Sequence, residues 1–418
     1  MKQDPKERPP TSSVAWDTLE EHFRGSIERM VQDLLEAELS EVLGRGRYVR
    51  KEGVTDLGYR NGHGKSRKLG TPMGTITVHR PRARDLDERF ESRILPAFKK
   101  RTNTVENLLP DLYLHGLALG DFDRALRGLL GEAAPLSPST IERLKAKWGA
   151  EYEAWRTRSL KGLELVYMWV DGVYVKAGLE KEKAAVLVVI GALSDGTKVV
   201  LAVEAGHRES TEAWAAVLRD LKGRGLNSPR LTIGDGHLGI WGALTAVFPE
   251  SKEQRCWNHR IMNVLDKVSK KKQATAKGLL RRIYKAPSLD VAIQEKARFR
   301  EWCLHADVEK AADILDQDWD RMVTYYGFPK EHWQHLRTTN VIESPFAAVR
   351  LRTNAAKRYR KVANATAVIW KTLMVVEGRF RRLNAPEKAT EVLLGATYVN
   401  GVRVSVTQKD VAREEIAA

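Results

Sequence analysis

The sequence predicts an α/β protein whose mixed-sheet domain is interrupted by a purely helical stretch and preceded by helical, basic regions. Three observations carry this. Residues 161–257 read strand after strand, then strand and helix in alternation. Residues 258–335 hold helical patterns alone. Everything before residue 161 is short helices and cationic, Gly-punctuated chain.

Residues 1–105 read as a helical and basic region for dimerisation and DNA binding. The first 14 residues, with Pro9-Pro10, carry too little apolar character to order. Trp16 to Leu43 has helical periodicity, with Leu19, Phe23, Ile27, Val31, Leu34 and Leu35 on one stripe, ended by Gly44 and Gly46. That stripe suits packing within its own domain or against a second subunit. Tyr59 to Arg67 reads as a turn or loop and Thr75 to Val78 as a short strand. Arg80, Arg82 and Arg84 alternate, as on a solvated strand face or a phosphate-contacting strip.

Residues 106–160 read as consecutive helices: Leu108 to Leu117, Phe122 to Leu130 after a break at Gly120, and a third opened by Ser137 as cap with Pro138 in its first turn. The third presents Arg143, Lys145 and Lys147, which fits a helix-turn-helix DNA-binding region. A plain helical subdomain has the same spacing.

In 161–257, Leu163 to Lys176, Ala184 to Leu193 and Lys198 to Val203 are strands. Ser194-Asp195-Gly196 turns the second into the third, giving an antiparallel meander. Thr211 to Arg224 is a helix with Trp214, Val217, Leu218 and Leu221 on one face. Strand Arg230 to Gly234, helix His237 to Phe248 and a short strand Gln254 to Trp257 follow. Beyond the helical stretch, residues 336–385 return to the sheet domain through helices Val341 to Leu351 and Asn364 to Leu383. The tail, 386–418, carries an Asn400-Gly401 hairpin signal.

Composition narrows the partner. In 418 residues, Lys plus Arg is 70 and Asp plus Glu 54, a net +16 that favours a polyanion. Two cysteines, Cys256 and Cys303, exclude a disulfide scaffold. With no run of 18 apolar residues and no signal-peptide pattern, a cytoplasmic protein without membrane contact is expected.

Against that positive excess, three acids stand among apolar neighbours. Asp171 follows Leu165 to Val170, Asp235 ends Leu231 to Gly234, and Glu343 sits in Asn340-Val341-Ile342-Glu343. Carboxylates at strand and helix ends suit hard cations, Mg²⁺ or Mn²⁺, and two ions about 3.5–4 Å apart serve phosphodiester chemistry. Each acid also has a plainer reading: Asp171-Gly172 as a bulge, Asp235-Gly236 as a loop start, Asn340-x-x-Glu343 as a capping box. Pro345 allows a further one, with Ser344 as cap and Glu343 just before the helix.

Cys256-Trp257-Asn258-His259 is the other compact motif. It is half of a zinc site if Cys303 and His305 complete it, a catalytic accessory if His259 meets the scissile phosphate, or a core cysteine beside a hydrogen-bonded histidine. Arg350, Arg352, Lys357, Arg358, Arg360 and Lys361 follow Glu343 with no acid among them, an anionic track. Trp241, Trp257 and Trp302 suit base stacking or, more commonly, core packing.

The chain resembles bacterial insertion-sequence transposases of the Mutator type from about Leu34 to Leu383. The motifs that carry this are Tyr167 to Lys176, Thr211 to Trp214, Asp235 to Gly239, Gln254 to His259 and Thr338 to Ser344. The resemblance implies an RNase H-like catalytic domain with an all-α insertion. It maps a DDE triad to Asp171, Asp235 and Glu343, and an accessory Cys-x-x-His element to Cys256 and His259. It further implies two Mg²⁺ or Mn²⁺ ions, binding of terminal inverted repeats and target DNA, a homodimer, a circular intermediate and a nucleoid-associated location. One departure is Met262, where the resemblance implies Arg. The alternatives are an inactive element-derived DNA-binding protein and an RNase H-like structure-specific nuclease.

Overall fold

The computed structural model describes residues 12–50, 58–134, 139–178, 183–206, 209–236 and 238–404. The chain divides into two compact units, residues 1–144 and 145–418.

The first unit opens with α1 (Ser12–Leu43), which starts four residues before the sequence pattern does. Its buried stripe is Ile27, Val31 and Leu35 against Leu69, Ile76, Val78 and Leu95, then Leu39 and Leu43 against Phe90. Leu19, Phe23 and Leu34 belong to the predicted stripe but are exposed: Leu19 and Phe23 lie ahead of the part of α1 that packs in this cluster, and Leu34 lies one residue off the i, i+4 series. Four strands follow: β1 (Tyr59–His63), β2 (Arg67–Thr71), β3 (Gly74–Val78) and β4 (Pro81–Arg84). β2 and β3 form a hairpin, and β1 pairs antiparallel with β4. The loop expected over Tyr59 to Arg67 is therefore mostly strand. Its exposed polar side chains lack the apolar alternation that marks strands. Helices α2 (Asn103–Leu114) and α3 (Leu119–Leu130) come next, with Gly120 inside α3 rather than breaking the chain before it. α4 (Ser139–Arg156) runs into the second unit; the expected Ser137-Pro138 cap lies outside the described residues.

The second unit is built on a mixed sheet of five strands: β5 (Leu165–Val175), β6 (Ala184–Leu193), β7 (Lys198–Gly206), β8 (Leu231–Gly234) and β9 (Lys252–Arg255). Their spatial order is β7-β6-β5-β8-β9. β5, β6 and β7 are an antiparallel meander, whereas β8 runs parallel to β5 and β9 parallel to β8. Between them lie α5 (Thr211–Gly223), capped by the Ser210 hydroxyl, and α6 (Leu238–Val247).

The two-residue period of β5 assigns its faces. Met168 and Val170 enter the core with Trp214, Leu218, Leu221, Ile240 and Leu244 of α5 and α6. Tyr167 and Trp169 point the other way, where Tyr167 Oη meets His332 Nδ1 at 2.8 Å and Trp169 Nε1 donates to the His335 carbonyl at 3.1 Å.

After β9 the described chain is helical for some eighty residues: α7 (Trp257–Leu265), α8 (Gln273–Tyr284), α9 (Leu289–His305), α10 (Glu309–Asp316), α11 (Trp319–Val323), 3-10 turns at Thr324–Gly327 and Lys330–His332, and α12 (Trp333–Leu336). Then come α13 (Asn340–Ala355), α14 (Val362–Glu377), α15 (Glu387–Leu393) and the hairpin β10 (Tyr398–Val399) and β11 (Val402–Arg403). Positive φ at Asn400 and Gly401 is what the Asn-Gly signal requires. Among the described residues, no helix is long and apolar enough to cross a membrane.

Candidate active site

Strand register sets the geometry. Trp169 of β5 pairs with Ile233 of β8, and Ile233 pairs with Gln254 of β9. Carried two residues further along the same face, this register aligns Asp171, Asp235 and Cys256. The ladder continues to that row, since the Cys256 N–H donates to the Gly234 carbonyl at 2.8 Å. Asp171 within β5, Asp235 just past β8 and Cys256 just past β9 then stand on adjacent strands, roughly 4.8 Å apart by strand spacing.

Asp171 bears the consequence. Its pKa rises from 3.8 to about 7, first because it is buried and next because the Asp235 charge is close. Glu209 adds to the rise; the Gly172 N–H, donating to Asp171 Oδ1 at 2.7 Å, and His259 oppose it. The ionised form is disfavoured by on the order of 4 kcal/mol. Oxygen donors crowded in this way fit a hard divalent cation, whose charge offsets the cost of burial and the repulsion between carboxylates.

Glu343 comes from the first turn of α13, neither before the helix nor in a capping box. The cap is Thr339, and its hydroxyl donates to Glu343 Oε1 rather than accepting from a backbone amide. Asn340, the expected cap, is the first helical residue and accepts from Asn258 Nδ2 at 2.8 Å. Pro345 lies inside the helix, in its second turn, where it cannot supply the N–H that would bond the Val341 carbonyl.

Thr339 also ties the α13 start to the sheet edge. It is fully buried, its N–H lies 3.3 Å and its Oγ1 3.1 Å from Cys256 Sγ. His259, in the first turn of α7, places Nδ1 3.7 Å from Glu343 Oε1. Its pKa rises to about 9, through the Cys256 sulfur first and then the charges of Cys256, Glu343 and Asp235, against the effect of burial. The sulfur contact falls outside good hydrogen-bond geometry, and Nδ1 is a buried atom with no hydrogen-bond partner.

Among the described residues, the metal-ligand side chains whose atoms all lie within 4.8 Å are Cys256, His259 and Glu343. Cys303 and His305 do not join them. Cys303 is buried at the end of α9, beside the Ala312 backbone, and His305 bonds the Glu301 carbonyl at 2.8 Å. The four-ligand Cys/His zinc set is therefore not assembled. Trp241 and Trp257 are core residues, 4% and 1% exposed, and Trp302 stacks on Phe299, with ring centroids 5.9 Å apart.

The basic residues separate. Arg350, Lys357, Arg358 and Arg360 are exposed. Arg358 Nη1 donates to the Gly178 carbonyl at 2.7 Å, and Tyr359 bridges Ala177, so this loop lies against the chain leaving β5. Arg352 does not belong to such a surface: it is 1% exposed, on the α13 face that also buries Phe346 and Val349. Helical phase, three residues on from Val349, turns it inward. Arg143, Lys145 and Lys147 lie along α4, where Lys147 faces Glu151 at 3.8 Å.

Two participants escaped the sequence reading. Thr339 is one. Glu209 is the other: a Cβ added at Gly172 would stand 2.2 Å from its Oε1, so its carboxylate lies directly over the Asp171-Gly172 backbone. It also helps raise the Tyr174 pKa to about 12, after burial.

A sequence profile of the Mutator family of transposases matches residues 10–380. The transposase of insertion sequence element IS6120 from Mycolicibacterium smegmatis is 43% identical over 297 residues, covering 71% of this chain and 92% of that protein. The transposase of element IST2 from Acidithiobacillus ferrooxidans is 37% identical over 289 residues, covering 68% and 97%. That of IS905 from Lactococcus lactis is 29% identical over 334 residues, covering 78% and 81%.

Proposed function

The chain belongs to the Mutator family of transposases, and we propose that it cuts and joins DNA at the terminal inverted repeats of an insertion sequence, using Asp171, Asp235 and Glu343 as a DDE triad. The observation that carries this is the β5–β8 register, whose last pair is Trp169 with Ile233 and which, carried two residues further, levels Asp171 with Asp235. Glu343 adjoins through His259, whose charge acts on both carboxylate sides. The strand order β7-β6-β5-β8-β9, three antiparallel strands followed by two parallel ones, supports an RNase H-like domain. On that reading α7 to α12 form the all-α insertion.

Asp171 and Asp235 would hold one Mg²⁺ or Mn²⁺ and Glu343 a second. When bound, two such ions activate a water or a 3′-hydroxyl and stabilise the leaving oxygen. The chain's own residues do the rest. Burial of Asp171 lowers the local dielectric around the carboxylates. Thr339 fixes the Glu343 rotamer. Arg350, Lys357, Arg358 and Arg360 neutralise phosphates of the bound duplex, and α2 to α4, with Arg143, Lys145 and Lys147, read the inverted repeat as a helix-turn-helix-like region. A homodimer brings two element ends together, and joining them gives a circular intermediate before reinsertion.

The test is a Mg²⁺-dependent nicking and joining assay on element-end DNA. Wild type should yield cut and strand-transfer products. Asp171→Asn, Asp235→Asn and Glu343→Gln should bind the same DNA and cut none of it. Nicking retained by any of the three removes that acid from the triad. Cutting without strand transfer by wild type turns the reading toward a nuclease.

A further inference from the structure

Cys256, His259 and Glu343 bring a sulfur, an imidazole nitrogen and a carboxylate oxygen within 4.8 Å of one another. Several features of this group are unusual for a merely packed trio. His259 Nδ1 is shut off from solvent and has no hydrogen-bond partner, which is a costly state for a buried polar atom. It faces Glu343 Oε1 at 3.7 Å, beyond hydrogen-bond reach. Bonds of about 2.0–2.3 Å from one tetrahedral ion put neighbouring ligand atoms roughly 3.3–3.7 Å apart, so the gap is the size of an ion.

We infer that these three side chains form a cation site of their own, selective for a borderline d-block divalent ion such as Zn²⁺. The Asp171–Asp235 side offers oxygen only, the donor set of Mg²⁺. A thiolate and an imidazole are poor ligands for Mg²⁺ and good ones for Zn²⁺, Co²⁺ or Cd²⁺. The outer contacts fit as well. Thr339, fully buried, directs its N–H toward Cys256 Sγ and donates its hydroxyl to Glu343, with Oγ1 3.1 Å from the same sulfur. One residue therefore holds two ligands in place, as the second layer around metal centres does. His259 and Glu343 remain 34% and 30% exposed, which turns the remaining coordination position toward solvent and substrate. By register, Cys256 is one strand spacing from Asp235, so the two donor sets stand side by side.

This inference rests on reading Glu343 as a cation ligand and changes which ion it holds, a d-block ion in place of the second Mg²⁺ or Mn²⁺; it is independent of Asp171. The probe is Co²⁺, titrated into the full-length, chelator-treated protein and followed by absorption. Wild type should show a near-ultraviolet sulfur-to-cobalt charge-transfer band and the visible bands of four-coordinate cobalt. Cys256→Ser should lose the sulfur band, and Cys303→Ser should keep it. His259→Gln, at a partly exposed position that tolerates change, should weaken Co²⁺ binding by about tenfold or more. Asp171→Asn should retain the spectrum while losing DNA cutting, which separates this site from the catalytic reading. No sulfur band in wild type at saturating Co²⁺, a band that follows Cys303 instead, or unchanged affinity in His259→Gln each overturns it.

Discussion

Asp171 and Asp235 share a strand row with each other's charge; Glu343 shares a helix start with a hydroxyl, a thiol and an imidazole. The first side leaves its repulsion standing. Burial and two neighbouring carboxylates push Asp171 to about 7, with only one backbone N–H and a distant imidazole in opposition. The second side is neutralised by the chain itself, through His259 and Thr339. The difference teaches where a cation matters to this fold. At the strand row a cation would relieve the buried Asp171 carboxylate, whereas the helix start is already ordered by its own contacts and offers a cation the buried His259 Nδ1.

The largest expected effect breaks the strand side. Asp171→Asn should lower Mg²⁺-dependent cutting on the order of 10³-fold, comparable to removing a principal stabiliser of transition-state charge. The same change should raise the thermal stability of the metal-free protein, since it deletes a buried repulsion; a fall in Tm contradicts this account of the row.

The helix side should respond more gently. Thr339→Val removes the hydroxyl but keeps the shape, and should cost roughly 10–100-fold in cutting or in cation affinity. Thr339→Ser should recover most of it. Equal losses in both variants would reduce Thr339 to packing.

Arg350 and Arg352 sharpen the contrast between surface and core. Arg352→Ala should destabilise the fold by about 2 kcal/mol in chemical denaturation, through lost packing and polar contacts. Arg350→Ala should leave stability alone and reduce the salt dependence of DNA binding by about one phosphate contact. Similar losses of stability in the two would show that helical phase does not divide them.

The smallest effect concerns the acid above the row. Glu209→Gln should lower the Asp171 pKa, read by NMR of the side-chain carboxyl, because one of its three raising causes is gone. Gly172→Ala, which must push the Glu209 carboxylate aside, should act in the same direction. An unmoved Asp171 titration would detach Glu209 from the site.

Much of this was legible in the sequence. The apolar runs of β5 and β6, the Asp-Gly turn between β6 and β7 and the Asn-Gly hairpin each encode their own local structure. The mixed sheet followed from their order. The register that levels Asp171, Asp235 and Cys256 was not written locally, because it depends on pairing between strands over sixty residues apart. For the same reason Glu343 could be suspected but its company with Cys256 and His259 could not, with more than eighty residues between them. β1 and β2 were missed because the exposed, polar β1 and the short β2, with a single large apolar residue in Leu69, lack apolar alternation. Arg352 was misread from charge, although its phase relative to Phe346 and Val349 already pointed inward. Glu209, just ahead of the Ser210 cap, gave no signal beyond an ordinary helix start.

The strand row can be tested through proton linkage. Asp171 binds its proton more tightly in the folded chain, near 7, than in the unfolded one, near 3.8. The stability this adds is complete below the unfolded value and is lost as pH rises through the folded one. Thermal unfolding should be followed from about pH 4 to 8, with and without Mn²⁺, for wild type and Asp171→Asn. The account predicts that metal-free wild type loses Tm across that window relative to the variant, and that Mn²⁺ restores it in wild type alone. Parallel curves for the two proteins, or equal stabilisation of both by Mn²⁺, would contradict a cation cradle at Asp171 and Asp235.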